Sequence, residues 1–152
     1  MDSSPIDFAT EADLPVMAAL LGELFSLESD FSADRDKQVA GLRLILENPA
    51  LGRLFVLRMN GEVAGMANAL VTVSTAEGGR VVLLEDVIVR ANLRGQGHGR
   101  RLVQRVMDWA QSEGYKRVTL LMDADNAVAL AFYGRLGFSP SGMKVLRRTL
   151  LC

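Results

Sequence analysis

Cysteine and histidine are almost missing from this chain: one of each in 152 residues. The single cysteine, Cys152, is the last residue, so no disulfide can form within the chain, which suits a reducing compartment. It also lacks the C-a-a-X context of a prenylation signal. His98 stands without a Cys/His cluster, so no metal site is expected. Neither sign of charge is in excess. Lys and Arg number 17 and Asp and Glu 18, a net charge of -1 that leaves no electrostatic footprint for nucleic acid. No apolar run reaches the length of a membrane span, and Met1-Asp2-Ser3-Ser4 lacks the basic start of a signal peptide. A cytoplasmic protein with no membrane partner is the expectation. Repeats, low-complexity tracts and linkers are absent as well.

What is present is apolar and periodic. Hydrophobic residues make up 49% of the chain. A chain of this length fits one domain, 1–152, able to bury roughly 70% of its unfolded surface. Ile6 and Phe8 alternate with polar neighbours as a short strand. Thr10, with Asp13 three residues on, forms an Asp variant of the capping box ahead of a helix carrying Leu14, Met17, Ala18, Leu21, Leu24 and Phe25. That helix frays in Glu28-Ser29-Asp30. A second begins near Asp34, runs through Val39, Leu42 and Leu46, and ends before Pro49. Leu54–Arg58 and Val63–Val73 read as strands joined by the hairpin turn Asn60-Gly61. Val81–Val89 is the next strand. A long helix carrying Leu102, Val103, Val106, Met107, Trp109 and Ala110 stops at Gly114, with Trp109 assigned to the core. Val118–Met122 is a strand, and Ala129, Phe132 and Leu136 are the inner stripe of a last helix. Phe138 and Lys144–Leu150 suggest two closing strands. The fold class is therefore α/β, with a mixed sheet covered by helices on both faces.

The stretch between the third of these long strands and the long helix carries the first functional signal. Val87-Ile88-Val89 leads through Arg90-Ala91-Asn92-Leu93 into Arg94-Gly95-Gln96-Gly97-His98-Gly99-Arg100. Glycine allows positive φ and close approach of a ligand to the backbone. Successive N–H groups then face one concavity, and the following helix adds its unpaired amides and positive dipole end. A phosphate-bearing cofactor is expected here. The spacing is neither the dinucleotide fingerprint, whose third glycine would fall at Arg100, nor a P-loop.

The spacing Arg94-x-x-Gly97-x-Gly99 after an Ile/Val strand resembles the acyl-CoA pyrophosphate loop of the GNAT acyltransferase superfamily. Asn126-Ala127-Val128-Ala129-Leu130-Ala131-Phe132-Tyr133-Gly134-Arg135-Leu136-Gly137-Phe138 resembles that family's N-x-x-A-x-x-F-Y-x-x-x-G-F segment. The two lie in the family's order, separated by one helix and one strand. The resemblance implies a central, mostly antiparallel sheet of six to seven strands, splayed at the acyl-CoA loop. It implies acetyl-CoA as co-substrate, with Val87, Ile88, Val89, Arg94, Gly95, Gln96, Gly97, His98, Gly99, Arg100, Asn126, Ala129 and Tyr133 around it. The family more often has a small aliphatic residue where this chain has His98. That ring touches a phosphate, packs at the base of the loop or faces solvent. Arg100 and Arg101 either pair with phosphates or belong to a solvated helix face.

Glu85-Asp86 interrupts an otherwise apolar strand, and buried carboxylates are costly unless solvated or paired. Either a basic neighbour such as Arg53 or Arg58, or backbone amides, satisfy them, or they stand in a cleft between parted strands. The resemblance favours the cleft, because the family's strand bulges there and frees backbone amides near Val87 and Val89 for the pantetheine arm. An alkyl ammonium, with a pKa of ~10.4, must lose a proton before it can attack a thioester. Glu85 is the first candidate for that base and Asp86 the second, unless Asp86 holds the amine in place. Tyr133 matches the tyrosine that protonates the departing thiolate in many family members; the alternative is a tyrosine flanking the core stripe. Asn126 is expected as helix cap and pantetheine contact together.

The acceptor is harder to read. Four acids in the nine residues 28–36 either attract a cationic amine or form a solvated, helix-capping loop. The small size resembles polyamine, aminoalkylphosphonate and other small-amine acetyltransferases. Two other functions stay open: acetylation of a protein lysine or N-terminus, and a non-catalytic acyl-CoA-binding module. The apolar closing strands make a homodimer reasonable.

Overall fold

In a computed structural model, residues 4–27 and 33–151 are described. Four strands form an antiparallel meander: β1 (Ile6–Phe8), β2 (Gly52–Met59), β3 (Glu62–Ser74) and β4 (Gly79–Val89). β5 (Val118–Leu120) joins the edge of β4 in parallel, giving the order β1-β2-β3-β4-β5. Helix α1 (Leu14–Leu27) and helix α2 (Arg35–Glu47) precede β2; α3 (His98–Ser112) links β4 to β5, and α4 (Ala127–Arg135) follows β5.

Strand alternation divides the core into two layers. Phe55 and Leu57 on β2 pack with Ala67 and Ala69 of β3 against Leu102, Val103, Val106 and Trp109 of α3. Their neighbours Leu54 and Val56 turn to the other face, with Met66 of β3, and meet Leu14, Met17 and Leu21 of α1 and Leu42 of α2. Helices on both faces of a mixed sheet are therefore observed. Trp109 is a core residue, edge-on to Phe55 and Tyr115 at 5.5 and 5.3 Å between ring centroids.

Local signals explain the element ends. Thr10 N–H donates to Asp13 Oδ2 at 2.7 Å, the reciprocal bond of a capping box. Asp34 caps α2, its Oδ1 accepting from the Lys37 N–H at 3.2 Å. Asn60 and Gly61 both have positive φ, 54° and 79°, as a two-residue hairpin turn of the mirror-image kind requires. The fraying segment Glu28-Ser29-Asp30, most of the acidic run 28–36, Met1-Asp2-Ser3 and Cys152 lie outside the described residues.

Two expectations need correction. Among the described residues the sheet has five strands rather than six or seven, and neither Phe138 nor Lys144–Leu150 lies in one. The apolar residues there pair off (Val145-Leu146, Leu150-Leu151) instead of alternating with polar ones, so no single face can be buried, and all four are exposed. β5 also ends at Leu120 and not at Met122. A three-residue edge offers little ladder for another strand, and β-forming side chains without a partner do not make a strand. No helix among the described residues is long and apolar enough to cross a membrane.

Candidate active site

β4 changes phase in its middle. Val82 and Leu84 face the α3 layer, so strict alternation would send residues 86 and 88 there too. Instead Val87 and Val89 pack on that layer and Ile88 on the α1 layer. The slip is a β-bulge. Asn68 pairs with Glu85 and Met66 with Ile88, so Asp86 and Val87 together oppose Ala67 alone. Asp86 takes up the distortion with φ +57°, a left-handed conformation costing a non-glycine residue on the order of 1 kcal/mol. Its Oδ2 accepts a 2.7 Å hydrogen bond from Asn68 Nδ2.

The strands part at the same place. The parallel pairing of β4 with β5 runs Val82↔Val118, Leu83↔Thr119, Leu84↔Leu120 and goes no further. From Glu85 onward the β5-facing edge of β4 leaves the ladder, while Val89 stays paired with Gly65 of β3 on the opposite edge. Glu85 and Asp86 thus lie just beyond the point where the pairing of β4 with β5 ends, both half-buried. Burial, and the Asp86 carboxylate beside it, push the Glu85 carboxyl above the usual carboxylate range, while the charge of Arg147 draws it partly back. Burial raises Asp86 as well, against the opposing pull of the Asn68 hydrogen bond. Neither basic neighbour suggested by the sequence serves these acids. Arg58 instead makes a two-pronged pair with Asp13 at 2.7 and 2.8 Å, and Arg53 lies over the Phe8 ring at 4.8 Å.

After β4, the glycine loop has the form expected of an anion cradle. Gly95 and Gly97 have φ of +77° and +87°, and a β-carbon added to either would meet nothing within 4 Å. The concavity is open, its backbone exposed, and Gly97 is the N-cap of the 15-residue α3. Arg94 Nε donates to the Val89 carbonyl at 2.9 Å, tying the loop to the end of β4. Gln96 and Arg100 are exposed on its rim. His98 is not in the cradle. It is 3% exposed with both ring nitrogens buried, which answers the sequence's open choice in favour of packing at the base of the loop. Arg101 turns away as well, donating from Nη2 to the Ser4 carbonyl beside β1.

The second motif is brought against the first. A β-carbon on Gly99 would stand 3.5 Å from the Phe132 ring, so the first turn of α3 and helix α4 are in close approach. Asn126 caps α4, its Oδ1 accepting from the Ala129 N–H at 3.0 Å. Tyr133 is half-buried, edge-on to Phe132 and Phe138 at 5.0 and 5.7 Å. Burial raises its phenol above the ordinary tyrosine range, so it keeps its proton at neutral pH.

Two residues of this site escape a reading of the sequence. Asn68 is 2% exposed, and its signal was available: a lone amide inside the apolar run from Val63 to Val71. Arg147 had no such signal. It lies in the exposed segment after α4, far in sequence from the Glu85 whose ionised form its charge favours.

Comparison with known proteins agrees with this geometry. A family model described as the acetyltransferase (GNAT) family matches residues 18–138. The chain is 30% identical over 120 residues to the uncharacterised N-acetyltransferase YobR of Bacillus subtilis, covering 79% of this chain and 45% of YobR. It is 29% identical over 124 residues to the uncharacterised N-acetyltransferase YhfO of the same organism, covering 80% of this chain and 83% of that one. The chain thus spans less than half of the one relative and most of the other. An integron cassette protein from the mobile metagenome of Cole Harbour Salt Marsh superposes with a TM-score of 0.83 at 25% identity, over 97% of this chain and 91% of its own.

Proposed function

The chain belongs to the acetyltransferase (GNAT) family, and from that premise we propose that it moves an acetyl group from acetyl-CoA to the primary amine of a small molecule. One observation carries the reading. The β4–β5 pairing ends at Leu84 and Leu120, just before the bulge that sets two carboxylates, and β4 then runs on into a loop of open, left-handed glycines. The cradle fits a pyrophosphate: its backbone is exposed, nothing fills the space before Gly95 and Gly97, and the positive end of α3 faces it. Gly95, Gln96, Gly97 and Gly99 supply the loop, with Arg94 and Arg100 as nearby cations. The backbone of Val87, Ile88 and Val89 takes the pantetheine arm on the edge that β5 vacates, with Asn126 and Ala129 opposite at the start of α4.

Acetyl-CoA supplies the activated acyl group; the chain supplies position and proton traffic. Glu85 accepts a proton from the substrate ammonium, directly or through water, and the neutral nitrogen forms its bond to the acyl carbon. Its raised pKa suits it to a base working nearer neutrality than an ordinary carboxylate. Amides on the vacated edge of β4 stabilise the charge that develops on the acyl oxygen. As the carbon–sulfur bond breaks, Tyr133 gives its proton to the departing thiolate, and the second proton that the acylated nitrogen sheds restores the phenol. Asp86 holds the amine beside Glu85. The activity resides in one cytoplasmic domain.

A thermal-shift and turnover screen of amines with acetyl-CoA tests the reading. Stabilisation by acetyl-CoA, and CoA release with at least one small amine, are the expected results. Absence of acetyl-CoA binding overturns the proposal. Turnover only with lysine-containing peptides or protein N-termini would move the acceptor to proteins.

A further inference from the structure

Asn68 is a polar side chain where the sheet has no structural need of one. Its β3 neighbours Ala67 and Ala69 face the α3 layer and Met66 the α1 layer, and Asn68, two residues from Met66, shares that second face. It is 2% exposed. A buried amide costs stability unless its groups are paired, yet only Nδ2 finds a protein partner, and Oδ1 accepts no hydrogen bond from the described residues. The one bond it does make goes to the residue that carries the bulge.

That bond matters because of what β4 would do without it. Unbroken alternation would put Asp86 into the α3 layer beside Leu84, where a carboxylate would lie among Val82, Val103 and Val106. The left-handed turn at Asp86 brings its carboxylate instead to Asn68, on the α1 side. The same turn re-phases everything downstream, so that Val87 and Val89 reach the α3 layer and Ile88 the other. A left-handed conformation at a non-glycine residue costs free energy, and a hydrogen bond to a charged group offsets it.

We propose that Asn68 is a positioning residue for acetyl transfer: its amide holds Asp86 in the left-handed conformation, and so fixes the bulge that presents Glu85 and the vacated edge of β4. It touches no reacting atom and acts only through Asp86. The inference rests on the acetyltransferase reading for its kinetic consequence, but not for its structural one.

A double-mutant cycle with one good amine tests it. Asn68→Ala should lower kcat roughly 10-fold, about 1.4 kcal/mol, with the KM for acetyl-CoA changed less than about threefold. Asp86→Gly accepts the positive φ without the amide's help. In that background Asn68→Ala should therefore cost nothing more. Independent, additive effects would overturn the proposal, since Asn68 would then act by another route. A second measurement needs no turnover. By carbon-13 NMR, the Asp86 carboxyl should titrate at higher pH in Asn68→Ala than in the parent, because the bond that favours its charged form is gone. Asn68→Asp keeps the size while replacing the donor with a like charge, so it should raise that midpoint at least as far, and it serves if alanine prevents folding. An unmoved midpoint overturns the inference even in a protein that acetylates nothing. A moved midpoint without turnover of any amine leaves Asn68 in place and removes the acetyltransferase reading.

Discussion

Gly99 stands against Phe132, so close that a β-carbon on the glycine would lie 3.5 Å from the ring. The two residues come from the two sequence motifs, 33 positions apart in the chain. Through this contact the glycine loop and the tyrosine-bearing helix α4 become one site. A distance of 3.5 Å is ordinary van der Waals contact, so Gly99→Ala should be accommodated. In the first turn of a helix it should leave stability unchanged or raise it by up to about 1 kcal/mol. Gly99→Leu extends a longer side chain from a β-carbon already in contact with Phe132 and Val89, and is expected to cost stability by displacing the Phe132 ring. Thermal unfolding of the two variants checks this, and a leucine variant as stable as the parent would contradict the close approach.

Gly97 behaves differently, although space around it is open. With φ at +87° any other residue is strained there, and its side chain would occupy the mouth of the cradle. Gly97→Val is expected to weaken acetyl-CoA by at least roughly 10-fold, about 1.4 kcal/mol, while α3 stays folded. Isothermal calorimetry with acetyl-CoA, beside a circular dichroism spectrum, is the check. Parent-like affinity would mean that the phosphates are held elsewhere.

The role proposed for Tyr133 is to give a proton to the departing thiolate. Its phenol is half-buried and its pKa raised, so it is protonated throughout the neutral range. Tyr133→Phe should lower kcat by roughly 10²- to 10⁴-fold, the reach of general acid catalysis. Acetyl-CoA affinity should change little, since the ring and its contacts with Phe132 and Phe138 survive. Steady-state kinetics and calorimetry on the same variant separate the two quantities, and undiminished turnover would reduce Tyr133 to packing.

On the α1 side of the sheet, the ion pair of Asp13 and Arg58 makes the fold sensitive to acid. Arg58 donates two hydrogen bonds to the buried Asp13 carboxylate and holds its pKa below the usual value. A depressed folded-state pKa contributes stability that is complete above the unfolded value, roughly 3.9, and is lost as pH falls through the lower folded one. Urea melts of the parent should therefore weaken on acidification below about pH 4 more steeply than those of Asp13→Asn. Arg58→Ala should cost on the order of 3 kcal/mol at neutral pH, because it strands a buried carboxylate. Equal acid sensitivity of the parent and Asp13→Asn would show that other carboxylates govern the acid limit.

Local chemistry made most of this architecture legible. The caps at Thr10 and Asp34, the Asn60-Gly61 turn, the glycine stop after α3 and the cap at Asn126 are short-range devices, and each stands where its residues suggest. The open glycine cradle was legible for the same reason, since positive φ and a helix start are local properties. Glu85-Asp86 could be flagged from burial cost alone, but their surroundings could not. Which residue satisfies Asp86 depends on the register between β3 and β4, and that register is itself broken by the bulge. Asn68 and Arg147 are partners fixed by tertiary structure. The tail misled because Val145 and Thr149 favour strand as residue types, while a strand forms only where a neighbouring edge receives it.

The central claim is that Glu85 relieves the amine of its proton, and the pH dependence of kcat/KM for parent and Glu85→Gln tests it most directly. In the parent, the rising limb should begin above the usual carboxylate range, because burial and Asp86 raise the pKa of Glu85 and the base works only when ionised. Glu85→Gln keeps the size and loses the charge. It should be slow near neutrality and recover partly at high pH, where solvent deprotonates the amine, with acetyl-CoA affinity intact. Parallel profiles offset by less than about threefold, roughly 0.65 kcal/mol of barrier, would contradict the account and pass the role of base to another group.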